Sequence, residues 1–265
     1  MGRVDGKVAI VTGAAGGLGE AITRMLLVEG ARVVATDIDA NRLENLFPDA
    51  GDTLLTLAQD VADENAWEYV IKQTLDRFGM LDVLVNNAGI VIGGSVEETS
   101  LEDFRRVQQV HSEGTFLGCK YALPAMRNSG LGSGSIINMS SVTAIGGFPY
   151  VFAYSAAKGA IRSMTKSIAA GTSAEGEPIR CNSIHPGRIE TPMVRGLREE
   201  RERKSGDKEL EQGNPPGHPD DIAYLVLYLA SDESALMNGS EILIDNGATI
   251  TDGSVKQRVK RERSA

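Results

Sequence analysis

Cysteine is nearly absent: Cys119 and Cys181 are the only two in 265 residues. Two cysteines in so long a chain are no disulfide framework, and both are expected as reduced, buried small residues of a cytoplasmic protein. Histidine is as scarce. His111, His185 and His218 lie scattered without ligand spacing, so no metal site is expected. Aromatic residues make up only 5% of the chain. No apolar run approaches the ~18 residues of a membrane-spanning helix. The stretch from Met1 to Lys7 lacks the apolar segment of a secretion signal. Excess positive charge is missing too. A net charge of −9 disfavours nucleic acid and anionic membrane as partners.

Glycine is plentiful, at 30 residues, and apolar residues reach 42%, enough for a sizeable core. Short β-branched runs alternate with helical patterns. Strands are predicted at 8–11, 32–36, 53–58, 81–85, 135–139, 179–184 and 241–244. Helices are predicted at 20–29, 63–78, 100–127, 153–173 and 219–230, with Gly30 and Gly79 as stops. Strands this short, apolar on both faces and separated by helices, predict a parallel sheet covered on both sides. The rhythm runs through residues 1–265 without a break. It predicts a single doubly wound, Rossmann-type α/β domain of seven parallel strands with helices on both faces.

Two stretches depart from the rhythm. Residues at about 192–214 include a run from Arg198 to Lys204 dense in both signs, where a connection should be short. A long connection there reads as a substrate lid, with a solvated surface helix as the plainer and compatible reading. The basic tail, at about 256–265, is expected to be poorly ordered unless an oligomer partner holds it.

Three groups of residues carry chemistry. The loop from Thr12 to Gly19 follows the first strand and opens the first helix. There Gly13 permits a tight turn, while Gly17 and Gly19 permit close approach of a diphosphate to a helix N-terminus. Asp37 closes the second strand, where a carboxylate can accept both hydroxyls of an adenosine ribose and repel a 2′-phosphate. That favours NAD over NADP, unless Asp39 faces the ribose or Asp37 only caps the next helix. Finally, Tyr154 and Lys158 share one helix face, and Ser141 tips the fifth strand. A lysine ammonium favours a phenolate, so the tyrosine can move a proton to or from a ketone or alcohol. Ser141 can hydrogen-bond the same oxygen.

In this order these motifs resemble the short-chain dehydrogenase/reductase family over nearly the whole chain. The motifs are Thr12–Gly19, Asp60-Val61, Asn86-Asn87-Ala88-Gly89, Ser141, Tyr154/Lys158 and the run from Pro186 to Thr191. The resemblance implies that Asp60 and Val61 flank the adenine. Asn87, with Ala88 and Gly89, would support the cofactor and the central sheet. Lys158 would also hold the nicotinamide ribose. Within Pro186-Gly187-Arg188-Ile189-Glu190-Thr191, Ile189 and Thr191 would contact the carboxamide. It further implies a homo-oligomer, a dimer or a tetramer.

The chain departs from the family pattern twice. His111 stands where the family usually has an asparagine, three residues before Gly114. The asparagine backbone helps hold a proton relay in the family; the histidine keeps that carbonyl, and its imidazole could join the relay. Asp245-Asn246-Gly247 replaces the usual Asp-Gly-Gly, and asparagine tolerates left-handed backbone. The expected pocket walls are Thr143, Ile145, Phe148, Tyr150, Val151, Gly187, Met193, Val194 and Leu197, mostly apolar, with Arg188 and Arg195 close by in sequence. They suggest an uncharged secondary alcohol or ketone, cyclic, aromatic or steroid-like. The alternatives are a ketoacyl-thioester reductase and a cofactor-binding module without catalysis.

Overall fold

The computed structural model describes residues 2–48, 51–130, 132–205 and 215–250. The predicted tail at 256–265 and the latter part of the predicted lid, 206–214, lie outside the described residues. Seven strands form the sheet: β1 Val8–Thr12, β2 Arg32–Asp37, β3 Leu54–Ala58, β4 Val83–Asn86, β5 Gly134–Met139, β6 Ile179–Pro186 and β7 Glu241–Ile244. All pair in parallel, in the order β3-β2-β1-β4-β5-β6-β7. Each predicted strand is present. The chain steps outward from β1 to β3 and then returns to the other side of β1 at β4. A crevice therefore opens at the carboxyl ends of β1 and β4, where the connections part.

The strands are apolar on both faces because both faces are covered. In β1, Val8 and Ile10 point to one cluster, Ala9 and Val11 to the other. The Ala9 side packs on helices α1 Gly17–Val28 and α8 Pro219–Ala230, through Ile22, Leu26, Val226 and Leu229. The Val8 side packs on α3 Glu64–Phe78 and α5 Gly114–Arg127, through Trp67, Val70, Leu117 and Met126. Trp67 is fully buried and donates from Nε1 to Val61 O at 2.9 Å, so its ring anchors the core without leaving its N–H unmet. The remaining long helix, α6 Phe152–Ala174, lies against β6 and carries Tyr154 and Lys158.

The helices correct the sequence reading in two places. A short helix, α2 Ala40–Leu46, follows β2 and was not predicted; Asp39 caps it by accepting from Arg42 N at 3.0 Å. The helix expected at 100–127 is not continuous. It is α4 Leu101–Gln108, then a π-helical turn Gln109–Glu113, then α5. The wider turn takes in an extra residue, and Val110 and His111 are both buried there. The described part of the predicted lid is a helix, α7 Pro192–Ser205, so the surface-helix reading of that stretch holds for its backbone. Asn246 has φ 53°, the only non-glycine positive φ among the described residues, so asparagine does keep the left-handed turn after β7.

Candidate active site

The glycine loop is shaped by contacts that leave no room for side chains. Gly13 has φ 65°, and a Cβ there would lie 2.8 Å from Ala88 Cα. A Cβ on Gly19 would lie 2.1 Å from Gly13 O. Thus the start of α1 sits directly on the loop. Gly16, its N-cap residue, offers no side-chain cap, so the first N–H groups of the helix are left for a ligand. Asn87 locks the ends of β1 and β4 together: its Nδ2 donates to Thr12 O at 2.8 Å and Gly13 O at 3.3 Å. In return Thr12 Oγ1 accepts from Asn87 N and Ala88 N, both at 3.0 Å.

Beside this loop, Asp37 accepts from Ala15 N at 2.9 Å and Asp39 N at 3.0 Å, one bond per oxygen. Its carboxylate is therefore aimed by backbone and still has lone pairs for hydroxyl donors. Asp60 is oriented in the same way, accepting from Ala62 N at 3.0 Å.

A cavity of about 360 Å³ runs from this end to α6. Of the predicted cofactor residues it is lined by Gly13, Gly17, Leu18, Gly19, Asp37, Asp60, Val61, Asn87, Ala88, Gly89, Tyr154, Lys158 and Thr191. Pro186, Gly187 and Ile189 do not line it. Pro186 ends β6, Gly187 N donates to Ile244 O at 3.0 Å, and Ile189 is buried and paired with Gly217. These residues instead fix the backbone path that delivers Thr191. Arg42, Gln59, Arg106 and Met139 also line the cavity, and the sequence reading missed them.

At the far end Lys158 is 3% exposed and donates from Nζ to Met139 O at 2.6 Å. Its nitrogen lies 5.3 Å from the centre of the Tyr154 ring. Ser141 does not line the cavity; its hydroxyl acts on the Tyr154 phenol and lowers its pKa. The serine is held from behind. Its carbonyl accepts from His185 Nδ1 at 3.0 Å, and His185 Nε2 takes the Ser183 hydroxyl at 2.9 Å. His111 completes the group, its ring edge-on to Tyr154 with centroids 5.2 Å apart. Of the predicted substrate walls, Met193 lines the cavity, and Ile145, Phe148 and Tyr150 are exposed.

Charge in this site departs from the expectation. Burial pushes Tyr154 up to about 12, and the Ser141 hydrogen bond opposes it only in part. Burial also pushes Lys158 down to about 7. The expected phenolate–ammonium pair is thus disfavoured by the chain alone, because desolvation penalises both charged forms. His111 is held well below the usual imidazole value, by burial first and the Lys158 charge second.

Residues 13–249 match the family model described as enoyl-(acyl carrier protein) reductase. The chain belongs to the short-chain dehydrogenase/reductase family. This dehydrogenase/reductase is 41% identical over 249 residues to the NADP-dependent (R)-specific alcohol dehydrogenase of Lentilactobacillus kefiri, covering 93% of this chain and 98% of that one. It is 40% identical over 247 residues to the 3-beta-hydroxysteroid dehydrogenase of Comamonas testosteroni, covering 92% and 96%. Among solved structures, levodione reductase superposes with a TM-score of 0.86 at 31% identity, covering 94% of this chain and 99% of that one. The family consists of oxidoreductases that use a nicotinamide cofactor. No helix among the described residues is long and apolar enough to cross a membrane.

Proposed function

We propose that this dehydrogenase/reductase interconverts an uncharged secondary alcohol, cyclic or steroid-like, and its ketone, with NAD as cofactor. The observation that carries the reading is the buried Tyr154–Lys158 pair, with Ser141 on the phenol, at one end of a cavity that has the glycine loop at its other end. The residues present suit the cofactor. The uncapped N-terminus of α1 would hold the diphosphate, and Asp37 the adenosine ribose. Bound there, a nicotinamide ring supplies the hydride acceptor or donor. Tyr154 holds the proton at its phenol oxygen: it gives it as a ketone is reduced and takes it as an alcohol is oxidised. Ser141 donates to the substrate oxygen and steadies the charge that grows on it. Lys158 restores the proton balance of Tyr154 by sharing its charge in a dry setting. A phenol pushed up to about 12 carries its proton at neutral pH, as the reducing direction requires, and gives it up as a weaker acid than a free tyrosine. In the oxidising direction it needs a neighbouring positive charge to become a base.

Met193, which lines the cavity, is apolar and 42% exposed, and the expected wall residues Ile145 and Phe148 are exposed to a like extent, which suits a neutral substrate. Arg195, one of the two cations near it in sequence, is answered by Glu190 at 3.1 Å. The relatives named above act on alcohols and hydroxysteroids by their names, which agrees with this class. A homo-oligomer, dimer or tetramer, belongs to the same reading, as do a cytoplasmic location and a single domain.

A second reading, NADP, is favoured by Arg42. Its guanidinium lines the same end of the cavity as Asp37, where a 2′-phosphate would sit, and the first relative above is NADP-dependent by name. The test is initial rates of secondary-alcohol oxidation over a panel from 2-butanol to cyclohexanols and hydroxysteroids, with NAD and with NADP. A higher kcat/KM with NADP overturns the NAD assignment. Turnover of a ketoacyl thioester with NADPH, and of no alcohol, overturns the substrate class. Tight NADH binding without turnover of either would leave only a binding module.

A further inference from the structure

We infer that His111 is a proton station of this active site, with Nε2 anchored on the Ile90 peptide and Nδ1 exchanging a proton with Lys158 across one water. The inference rests on the alcohol–ketone reading above and adds a step to it. Its origin is a mismatch in the wall of the cavity. The Ile90 peptide presents its carbonyl oxygen at 2.7 Å and its N–H at 3.1 Å to the same nitrogen, His111 Nε2. A carboxamide could answer both, one with NH₂ and one with oxygen. An imidazole nitrogen can answer only one at a time, because a carbonyl only accepts and an amide N–H only donates. The carbonyl is the nearer, and two lone pairs at 2.7 Å would repel. The neutral ring therefore carries its proton on Nε2, which leaves Nδ1 a bare lone pair.

That lone pair has no partner. Nδ1 is buried without a hydrogen bond, on a side chain only 1% exposed that lines the cavity. A buried acceptor left unmet costs about 1–3 kcal/mol, so the site holds a standing demand for a donor. The ring cannot answer it by turning over. It is pinned between the edge of Tyr154 and Gly89, where a Cβ would come within 2.4 Å of His111 Cε1. Lys158 faces the same Tyr154 ring and its charge acts on the imidazole; its ammonium has three N–H bonds and commits one to Met139 O, so a water can carry a second to Nδ1.

In the oxidising direction the step balances without a further reactant. One Nζ–H bond of Lys158 breaks and an Nδ1–H bond forms. The positive charge passes from ammonium to imidazolium, while Nε2–H stays on the Ile90 carbonyl throughout. Nδ1 then releases the proton to water in the cavity, and ketone reduction runs the same route backwards. The charged and titratable groups facing the imidazole are Tyr154 and Lys158 from α6, with Arg106 of α4 further along the same wall. Burial lowers His111 first and the Lys158 charge second, while burial alone holds Lys158 down to about 7.

The test uses the whole chain labelled with ¹⁵N-histidine, as wild type and as Lys158→Met, followed by NMR across pH without cofactor. The expected spectrum shows protonated Nε2 and bare Nδ1 at neutral pH. The His111 midpoint should move up by about one pH unit when the Lys158 charge is removed. In parallel, His111→Asn, which can satisfy both groups of Ile90, should lower kcat about tenfold with KM and NADH affinity unchanged. If His111→Asn does not fold, His111→Gln serves for the same measurement. A midpoint that does not move in Lys158→Met, or a kcat within twofold of wild type at every pH, overturns the inference. A wild-type protein that oxidises no alcohol refutes the reaction, and the NMR coupling still judges the proton station by itself.

Discussion

The two ends of the cavity are made of different materials. At the glycine-loop end the groups that face a ligand are backbone N–H donors and a carboxylate aimed by backbone. At the α6 end they are a phenol, an amine and an imidazole, each shifted toward its neutral form by burial. One end binds through steric room and permanent dipoles. The other acts through protons whose positions depend on how dry the site is. The glycine-loop end should therefore fail on added volume. The α6 end should tolerate small changes of shape and fail on lost titratable groups.

Four substitutions test that contrast. The largest effect is expected at Tyr154. Tyr154→Phe removes the proton and little volume, so kcat should fall by about 10²–10⁴. Isothermal titration should find NADH affinity within twofold of wild type; a parallel loss of binding would erase the division between the ends. Gly19→Val is the reverse case. A Cβ 2.1 Å from Gly13 O forces the loop away from α1, and NADH affinity should drop about tenfold or more, or about 1.4 kcal/mol. The Tyr154 end should still titrate normally in that variant.

The third concerns stability against pH. Lys158 binds its proton less readily folded, near 7, than unfolded, near 10.5. The unfolded chain then holds more protons between those values, so stability without cofactor rises with pH across that window. One proton gives a slope of at most about 1.4 kcal/mol per pH unit. Tyr154, raised from 10.0 to about 12, works oppositely and should erode stability above pH 10. Urea unfolding at pH 7, 8 and 9 should show the rise in wild type and a flatter profile in Lys158→Met; equal slopes would mean that the amine is not desolvated. The smallest effect is expected from Arg42→Ala. It should lower kcat/KM for NADP several-fold and leave NAD unchanged, and steady-state rates with the two cofactors decide it.

The same contrast explains what could be read in advance. Strands covered on both faces are apolar on both, so Val8–Val11 and Val83–Val85 stood out as uninterrupted runs, whereas β6 is interrupted by Arg180, Asn182, Ser183 and His185. The glycine loop was legible because steric need is written in residue type. Helix α2 was not, since Leu43 is its one buried residue, Leu46 packs only in part, and seven residues with two packed apolar positions show too little of a period. The π-helical turn also escaped notice: its extra residue changes hydrogen-bond spacing but not composition. Tyr154, Lys158 and Ser141 were visible as residues, while their charges were not, because burial sets those and burial is a property of the assembled fold. Nor could spacing reveal that the carbonyls of Ile90 and Met139 would be the groups holding His111 and Lys158. Backbone atoms carry no letter in the sequence.

A contact at the glycine loop has a kinetic meaning. A Cβ on Gly17 would touch Pro192 Cδ at 3.2 Å and Thr191 Cγ2 at 3.3 Å, and Pro192 is the first residue of α7. The first turn of α7 thus packs against the very turn that would grip the diphosphate. A nucleotide held there would bear on the start of that helix before the second reactant arrives. Product-inhibition patterns should then show nucleotide first on and last off.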